Sequence, residues 1–202
     1  MKILLTAFEP FGGESVNAAA EAVCLVRAPE GVTLRRCIVP TVFSDCIRSV
    51  RTLLETESFD AIVSVGQAAG RAAITPERIA VNIRDARIPD NAGFCPNGEP
   101  VEPDGPATYF STLPILVLRD AIRAAGVASE ISNTAGTFVC NDLMYGILHT
   151  AATEGLAARC GFIHVPCTPE QANAHTPPIA SMPLDDIVKG LEAALAALQA
   201  NP

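Results

Sequence analysis

Apolar and polar positions along this chain fall into short runs, and the changes of period between them predict strands alternating with helices. The run KILLTAF at Lys2–Phe8 is apolar and ends in Glu-Pro and Gly-Gly, which predicts a buried strand and then a loop over 9–14. Residues 15–27 are rich in good helix formers, and Ser15 is placed to cap that helix. Thr33–Val39 predicts a second strand, 43–55 a second helix, and 60–65 a third strand closed by Gly66. Over 78–84 the alternation of Ile79, Val81 and Ile83 with polar neighbours has the period of a half-buried strand. The segment 88–106, dense in proline and glycine, reads as a functional or mobile loop, a lid or a subunit contact. Residues 109–125 carry Leu113, Leu116, Val117 and Ile122 at helical spacing, with Gly126 as the stop. Short strands at 130–133 and 161–165 flank a helix over 141–152. After a second Pro-rich stretch, 166–183, Leu184, Ile187, Val188, Leu191, Leu195 and Leu198 make one apolar stripe on a last helix. Strand and helix alternating throughout imply an α/β sandwich with a mainly parallel sheet, and neither a repeat nor a linker divides the chain.

Composition narrows the functions such a fold could serve. In 202 residues, 49% are hydrophobic and 18% charged, enough apolar surface for a core in one domain. Twenty-two acidic against fourteen basic side chains give a net charge of −8, which disfavours nucleic acid and anionic membranes as partners. The longest apolar runs fall far short of the ~18 residues that suggest a membrane span. Pro10 and the glycines after it interrupt the opening run too early for a signal peptide, so a cytoplasmic location is expected. The seven cysteines are scattered, with neither a CxxC pair nor zinc-type Cys/His spacing, and read as free thiols. HExxH, GxxxxGK[ST] and GxGxxG are all missing, so the chemistry is expected from side chains, without metal or cofactor.

Active residues of open α/β sheets collect in loops past the carboxyl ends of strands. Here those loops are 8–13, 66–71 with Glu77, 133–142 and 164–168. In GTFVCND, Cys140 follows an extended segment and starts a helix, where unpaired N–H groups and the helix dipole would favour a thiolate and could receive an oxyanion. A small buried side chain is the alternative reading. Of three histidines, His149 lies nine residues further along the same helix, out of reach of Cys140, and His175 sits in a Pro-rich loop. His164 ends the strand GFIH and is the best-placed base. Glu77, Asp85, Asn141 and Asp142 are all candidates for the group that orients it, and composition does not choose among them.

The strings FEPFGG (8–13), VGQAAGR (65–71), ERIAVNIRDARIPDNAG (77–93), SNTAGTFVCND (132–142) and GFIHVP (161–166), in this order, resemble the pyroglutamyl peptidase I family, the pyrrolidone carboxyl peptidases, over essentially the whole chain. The resemblance implies one domain over 1–202: an α/β/α sandwich with a twisted, mainly parallel sheet, phosphorylase/hydrolase-like. It implies a cysteine exopeptidase that removes N-terminal pyroglutamate from peptides through a thioester, with Cys140 as nucleophile, His164 as general base and acid, and Glu77 as the orienting carboxylate. By the same carry-over the Cys140 N–H and Arg87 hold the oxyanion. Phe8, Phe11, Ile88, Phe138 and Val139 wall a lactam pocket, and Asn17 and Gln67 supply polar contacts. Family members often assemble as homo-oligomers, and the two Pro-rich segments are candidate contacts. Ala69 stands where many relatives carry glycine, a departure that matters if the backbone there needs positive φ. The competing readings are a thiol-dependent amidase or acyltransferase of other specificity, or a non-catalytic small-ligand binder or phosphorylase-like protein on the same scaffold.

Overall fold

The computed structural model describes residues 1–201; Pro202, the last residue of the expected domain, lies outside the described residues. Three apolar runs become the central strands β1 (Lys2–Phe8), β3 (Ala61–Gln67) and β9 (Arg159–Val165), buried almost throughout. They are buried because helices cover both faces, which is why their sequences read as continuous rather than alternating. With β2 (Thr33–Val39) and β4 (Thr75–Pro76) they form one sheet of order β2-β1-β3-β9-β4, parallel except where β4 runs against β9. At the outer edge, β2 turns Arg35 and Arg36 to solvent, which discourages further strand pairing.

Odd-numbered positions of the central strands, among them Ile3, Leu5, Val63, Val65 and Ile163, pack under α1 (Ala18–Leu25), α3 (Ile115–Ala124) and α6 (Leu184–Ala200). Even-numbered ones, Leu4, Phe8, Ile62 and Phe162, pack under α2 (Asp45–Leu54) and α4 (Val139–Glu154). Each fully buried aliphatic side chain in these layers contributes roughly 1.5–3 kcal/mol of burial. The predicted stripe on α6 is buried at Ile187, Leu191, Leu195 and Leu198.

Several boundaries differ from the sequence reading, each for a local reason. Helix α1 is capped by Asn17 and not by Ser15: Asn17 is extended, and its side chain accepts from the Ala19 and Ala20 N–H groups. Residues 130–133 form no strand: only an isolated bridge of Ser132 to Glu77 falls within them, with another of Ser129 to Ile74 just before. The stretch 78–84 is split into β5 (Ile79–Val81) and β6 (Arg84–Asp85) at Asn82, whose side chain bonds the backbone of Glu102 and Gly105. Inside the Pro-rich loop, β7 (Asn97–Glu99) pairs with β6, and just past its end β8 (Thr108–Phe110) pairs with β5. The helix expected from 109 therefore begins only at Ile115, after Pro114. A short helix α5 (Pro169–Asn173), closed by a Thr168/Gln171 capping box, occupies part of the second Pro-rich stretch. All seven cysteines are unbridged.

Candidate active site

Strand register brings the predicted residues to one edge of the sheet. In β9, His164 lies opposite Gly66 of β3, and both face the α4 side. In β4, Thr75 pairs with His164 and Pro76 with Ile163, and the Glu77 N–H then donates to the Phe162 carbonyl at 2.9 Å. Glu77 thus sits diagonally across from His164 on the same face, a separation a long side chain spans. Its Oε1 lies 2.7 Å from His164 Nδ1. A carboxylate can only accept, so Nδ1 carries the proton and Nε2 is the free ring nitrogen.

Cys140 comes from the other side of this edge, in the first turn of α4. The helix starts there because Phe138 is extended and Val139 begins the turn; Phe138 makes no side-chain cap, which leaves the first N–H groups of the helix without one. The turn is nonetheless anchored. Asn141 exchanges hydrogen bonds with Val81 at 2.9 and 2.8 Å, and Asp142 accepts from Arg84 at 2.6 Å and from the Ser44 N–H at 2.8 Å. The Cys140 sulfur then lies over Gly66: a Cβ built on that glycine would meet Cys140 Sγ at 3.0 Å and the Phe162 ring at 2.7 Å. The same Phe162 ring packs 4.8 Å from the His164 ring. Thiol, imidazole and carboxylate therefore meet at one place. His149 bonds Tyr109 instead, and His175 is exposed in its loop. Open hollows elsewhere, such as the one lined by Met1, Phe59, Asp60 and Arg159 at the amino ends of the strands, carry neither cysteine nor histidine.

The electrostatics differ from the expected thiolate. Burial pushes the Cys140 thiol up to about 12, with the Glu77 charge raising it further and Arg71 opposing. Burial also holds His164 below the ordinary imidazole value, against the raising effect of its bond to Glu77. A helix N-terminus is worth roughly 0.3–1 kcal/mol to an anion near the surface, too little to outweigh desolvation of the sulfur. Both shifts favour a neutral thiol and a neutral imidazole over an ion pair at rest.

Of the expected pocket residues, the Phe11 ring lies 6.0 Å from that of Phe138 and tilted to it, and Phe43, which the sequence reading passed over, meets Phe138 edge-on at 5.3 Å. Ile88 is exposed, close to Gly12. Phe8 and Val139 are interior, both in the core layer beneath α4. Asn17 is buried as the α1 cap and also donates to the Glu9 carbonyl. Gln67 Oε1 accepts from the Ala18 N–H at 2.7 Å and from Gln171 Nε2 at 3.0 Å. Arg87 is exposed, on a loop that Asp85 ties to Thr137 through paired bonds of 3.0 and 2.7 Å. Ala69 needs no positive φ; the glycine after it, Gly70, takes the left-handed conformation. Arg71 had no role assigned from sequence, yet its guanidinium reaches Glu77 Oε1 at 2.6 Å. The spacing of an arginine and a glutamate six apart in a loop gives no warning of it, because such pairs are usually solvated.

A family model described as pyroglutamyl peptidase matches residues 1–201. The pyrrolidone-carboxylate peptidase of Levilactobacillus brevis is 50% identical over 199 residues, spanning 98% of this chain and 97% of that one. Among solved structures, pyroglutamyl peptidase I of Bacillus amyloliquefaciens superposes with a TM-score of 0.93 at 42% identity, covering 98% of this chain and 97% of that chain. The pyrrolidone carboxyl peptidase of Pyrococcus furiosus superposes with a TM-score of 0.94 at 38% identity, covering 100% and 99%. A match this complete, over a sheet edge that carries the cysteine, histidine and glutamate together, makes the chain a member of the pyroglutamyl peptidase family.

Proposed function

We propose that this protein removes an N-terminal pyroglutamyl residue from peptides through a thioester, with Cys140 as nucleophile, His164 as general base and acid, and Glu77 as the carboxylate that orients the imidazole. The observation that carries this reading is the Cys140 sulfur over Gly66, the strand neighbour of the same His164 that bonds Glu77. Because the thiol is protonated at rest, its proton moves to His164 Nε2 as the sulfur adds to the pyroglutamyl carbonyl. The uncapped N–H groups opening α4, with the Cys140 N–H among them, receive the oxygen that becomes negative, and Arg87 on the neighbouring loop is the side-chain donor. Nε2 then returns its proton to the departing amine as the C–N bond breaks. Water, losing a proton to the same nitrogen, cleaves the thioester and frees pyroglutamate and the thiol. Glu77 keeps Nδ1 protonated throughout and stabilises the transient imidazolium.

The lactam is neutral and carries no free ammonium, so it suits an apolar slot with a few polar groups. Phe11, Phe138 and Ile88 form the slot, Phe8 and Val139 back it from the core, and Asn17 and Gln67 shape its polar end. A thiol nucleophile must stay reduced, which suits the cytoplasm. An exposed apolar strip at Phe110, Leu116 and Val117 supports assembly between copies of the chain.

Release of arylamine from pyroglutamyl, prolyl and alanyl arylamides, with and without iodoacetamide, tests the reading. Only the pyroglutamyl substrate should turn over, alkylation should stop it, and folded Cys140→Ser should lose at least roughly a thousandfold in rate. Normal turnover in that variant would end the thiol mechanism.

A further inference from the structure

We propose that Arg71 is a positioning residue of this reaction, a clamp that fixes the Glu77 carboxylate against His164 and ties the segment carrying the nucleophile to the segment carrying the carboxylate. The inference rests on the roles proposed above for Cys140, His164 and Glu77. Arg71 Nη1 and His164 Nδ1 both donate to one oxygen, Glu77 Oε1, at 2.6 and 2.7 Å. Glu77 is wholly buried, and among the described residues its other oxygen, Oε2, has no hydrogen-bond partner. The guanidinium is therefore the cation that balances this buried carboxylate, which on its own would be strongly destabilised. Arg71 is itself held, by the Thr75 hydroxyl on the strand leading into Glu77 and by the Thr134 carbonyl at 3.1 Å on the segment leading to Cys140. A planar fork of donors can hold these three acceptors in a fixed relation; a lysine cannot.

The charge has a consequence that mere scaffolding would not. The charged groups bearing on His164 are Glu77 and Arg71, both from the segment between β3 and β5, and the same two bear on the Cys140 thiol of α4. The neighbouring acid on α4, Asp142, is bonded to Arg84 and the Ser44 N–H; Gln67 of β3 is neutral, and Arg87 is exposed on its loop. Arg71 disfavours a proton on His164 and favours loss of the Cys140 proton. Without it His164 binds its proton more tightly and becomes a competent base only at higher pH.

The test combines NMR titration of labelled histidine side chains with kcat and KM against pH for wild type, Arg71→Met, Arg71→Gln and Arg71→Lys. Removing the charge should move the His164 titration and the acid limb of kcat/KM up by roughly one pH unit. It should also lower kcat about tenfold or more, with KM little changed. Arg71→Lys should return the titration towards wild type while leaving kcat reduced, because the charge is restored and the fork is not. If Arg71→Met does not fold, Arg71→Gln, which keeps polar donors, carries the same comparison. An unmoved His164 titration and acid limb in folded neutral variants, with only thermal stability reduced, would overturn the clamp. The titration needs no substrate: a wild-type enzyme inert on pyroglutamyl arylamide would sink the proposed function and still leave Arg71 decided by NMR.

Discussion

At the level of single residues, the position most exposed to change is Gly66, for reasons of space and not of backbone conformation. It is absent from the left-handed glycines, but a methyl group there would fall 2.7 Å from the Phe162 ring and 3.0 Å from the Cys140 sulfur. Either the ring or the thiol must move, and the ring also packs on His164. Gly66→Ala is expected to cost about 1–3 kcal/mol of stability from overpacking and up to roughly a hundredfold in kcat/KM, since displacements near 1 Å at a reacting group can have that effect. Thermal melting with steady-state kinetics checks both, and full activity would show that the sulfur has room to spare. The sequence pointed to Cys140 and His164 because the chain offers few histidines and few cysteines at a turn into a helix, although Cys46 opens α2 in the same way. Glu77 was not separable from Asp85, Asn141 and Asp142 on residue type alone. The distinction is made by contacts across the fold: Asn141 is spent on Val81 and Asp142 on Arg84 and Ser44, while Glu77 alone meets the imidazole. The protonation of the sulfur was likewise illegible, because burial, its largest cause, is a property of the packed molecule.

At the level of elements, short apolar runs identified β1, β3 and β9 to within a residue or two, and β2 was read from Thr33–Val39, whereas β4, β6, β7 and β8 stayed hidden. Strands of two or three residues carry no measurable period, and these exist only because a partner pairs with them. That matters for the site, since β4 is what delivers Glu77 to His164. The Pro-rich loop over 88–106 was open to reading as a mobile lid, but Asp90 accepts from the Phe43, Ala92 and Phe94 N–H groups, and Asn91 bonds the Pro10 carbonyl. These bonds tie residues 90–94 to one another, to Phe43 and to the loop at Pro10. The start of α1 is built in the same way, from side chains that satisfy backbone donors: Asn17 takes the Ala19 and Ala20 N–H groups and Gln67 takes that of Ala18. Asn17→Ala is expected to lower stability by about 1–2 kcal/mol, the usual range for a lost N-cap, and to loosen the first loop by freeing the Glu9 carbonyl. Urea unfolding measures the first effect, and a raised KM at unchanged kcat for the pyroglutamyl substrate measures the second. A variant as stable as wild type would show that water replaces the cap without loss.

At the level of the whole molecule, the buried free thiols, Cys46 and Cys160 of the layer beneath α2 and α4 among them, tie stability to alkaline pH. Cys140 and Cys160 are pushed up to about 12 and Cys46 well above its ordinary value, each chiefly by burial, and Cys167 is raised for the same first reason. In the unfolded chain these groups ionise near their ordinary value of about 8.5. A group whose folded value is raised contributes stability that is fully present below its unfolded value and is lost as pH rises through the folded one. The window for this loss therefore opens near pH 8.5 and extends to about 12, the value reached by Cys140 and Cys160. Within it each thiol that ionises only on unfolding removes up to about 1.4 kcal/mol per pH unit. The net charge of −8 grows more negative over the same range and adds repulsion, but that contribution is shared by variants that differ only in neutral buried groups. Urea unfolding of wild type and of a Cys46→Ala/Cys160→Ala variant at pH 8 and pH 10 separates the two effects. Wild type should lose more stability across that interval than the variant, whose absolute stability at pH 8 is lowered by the shorter side chains. Parallel losses in the two proteins would mean that the buried thiols do not set the alkaline limit and that surface charge does.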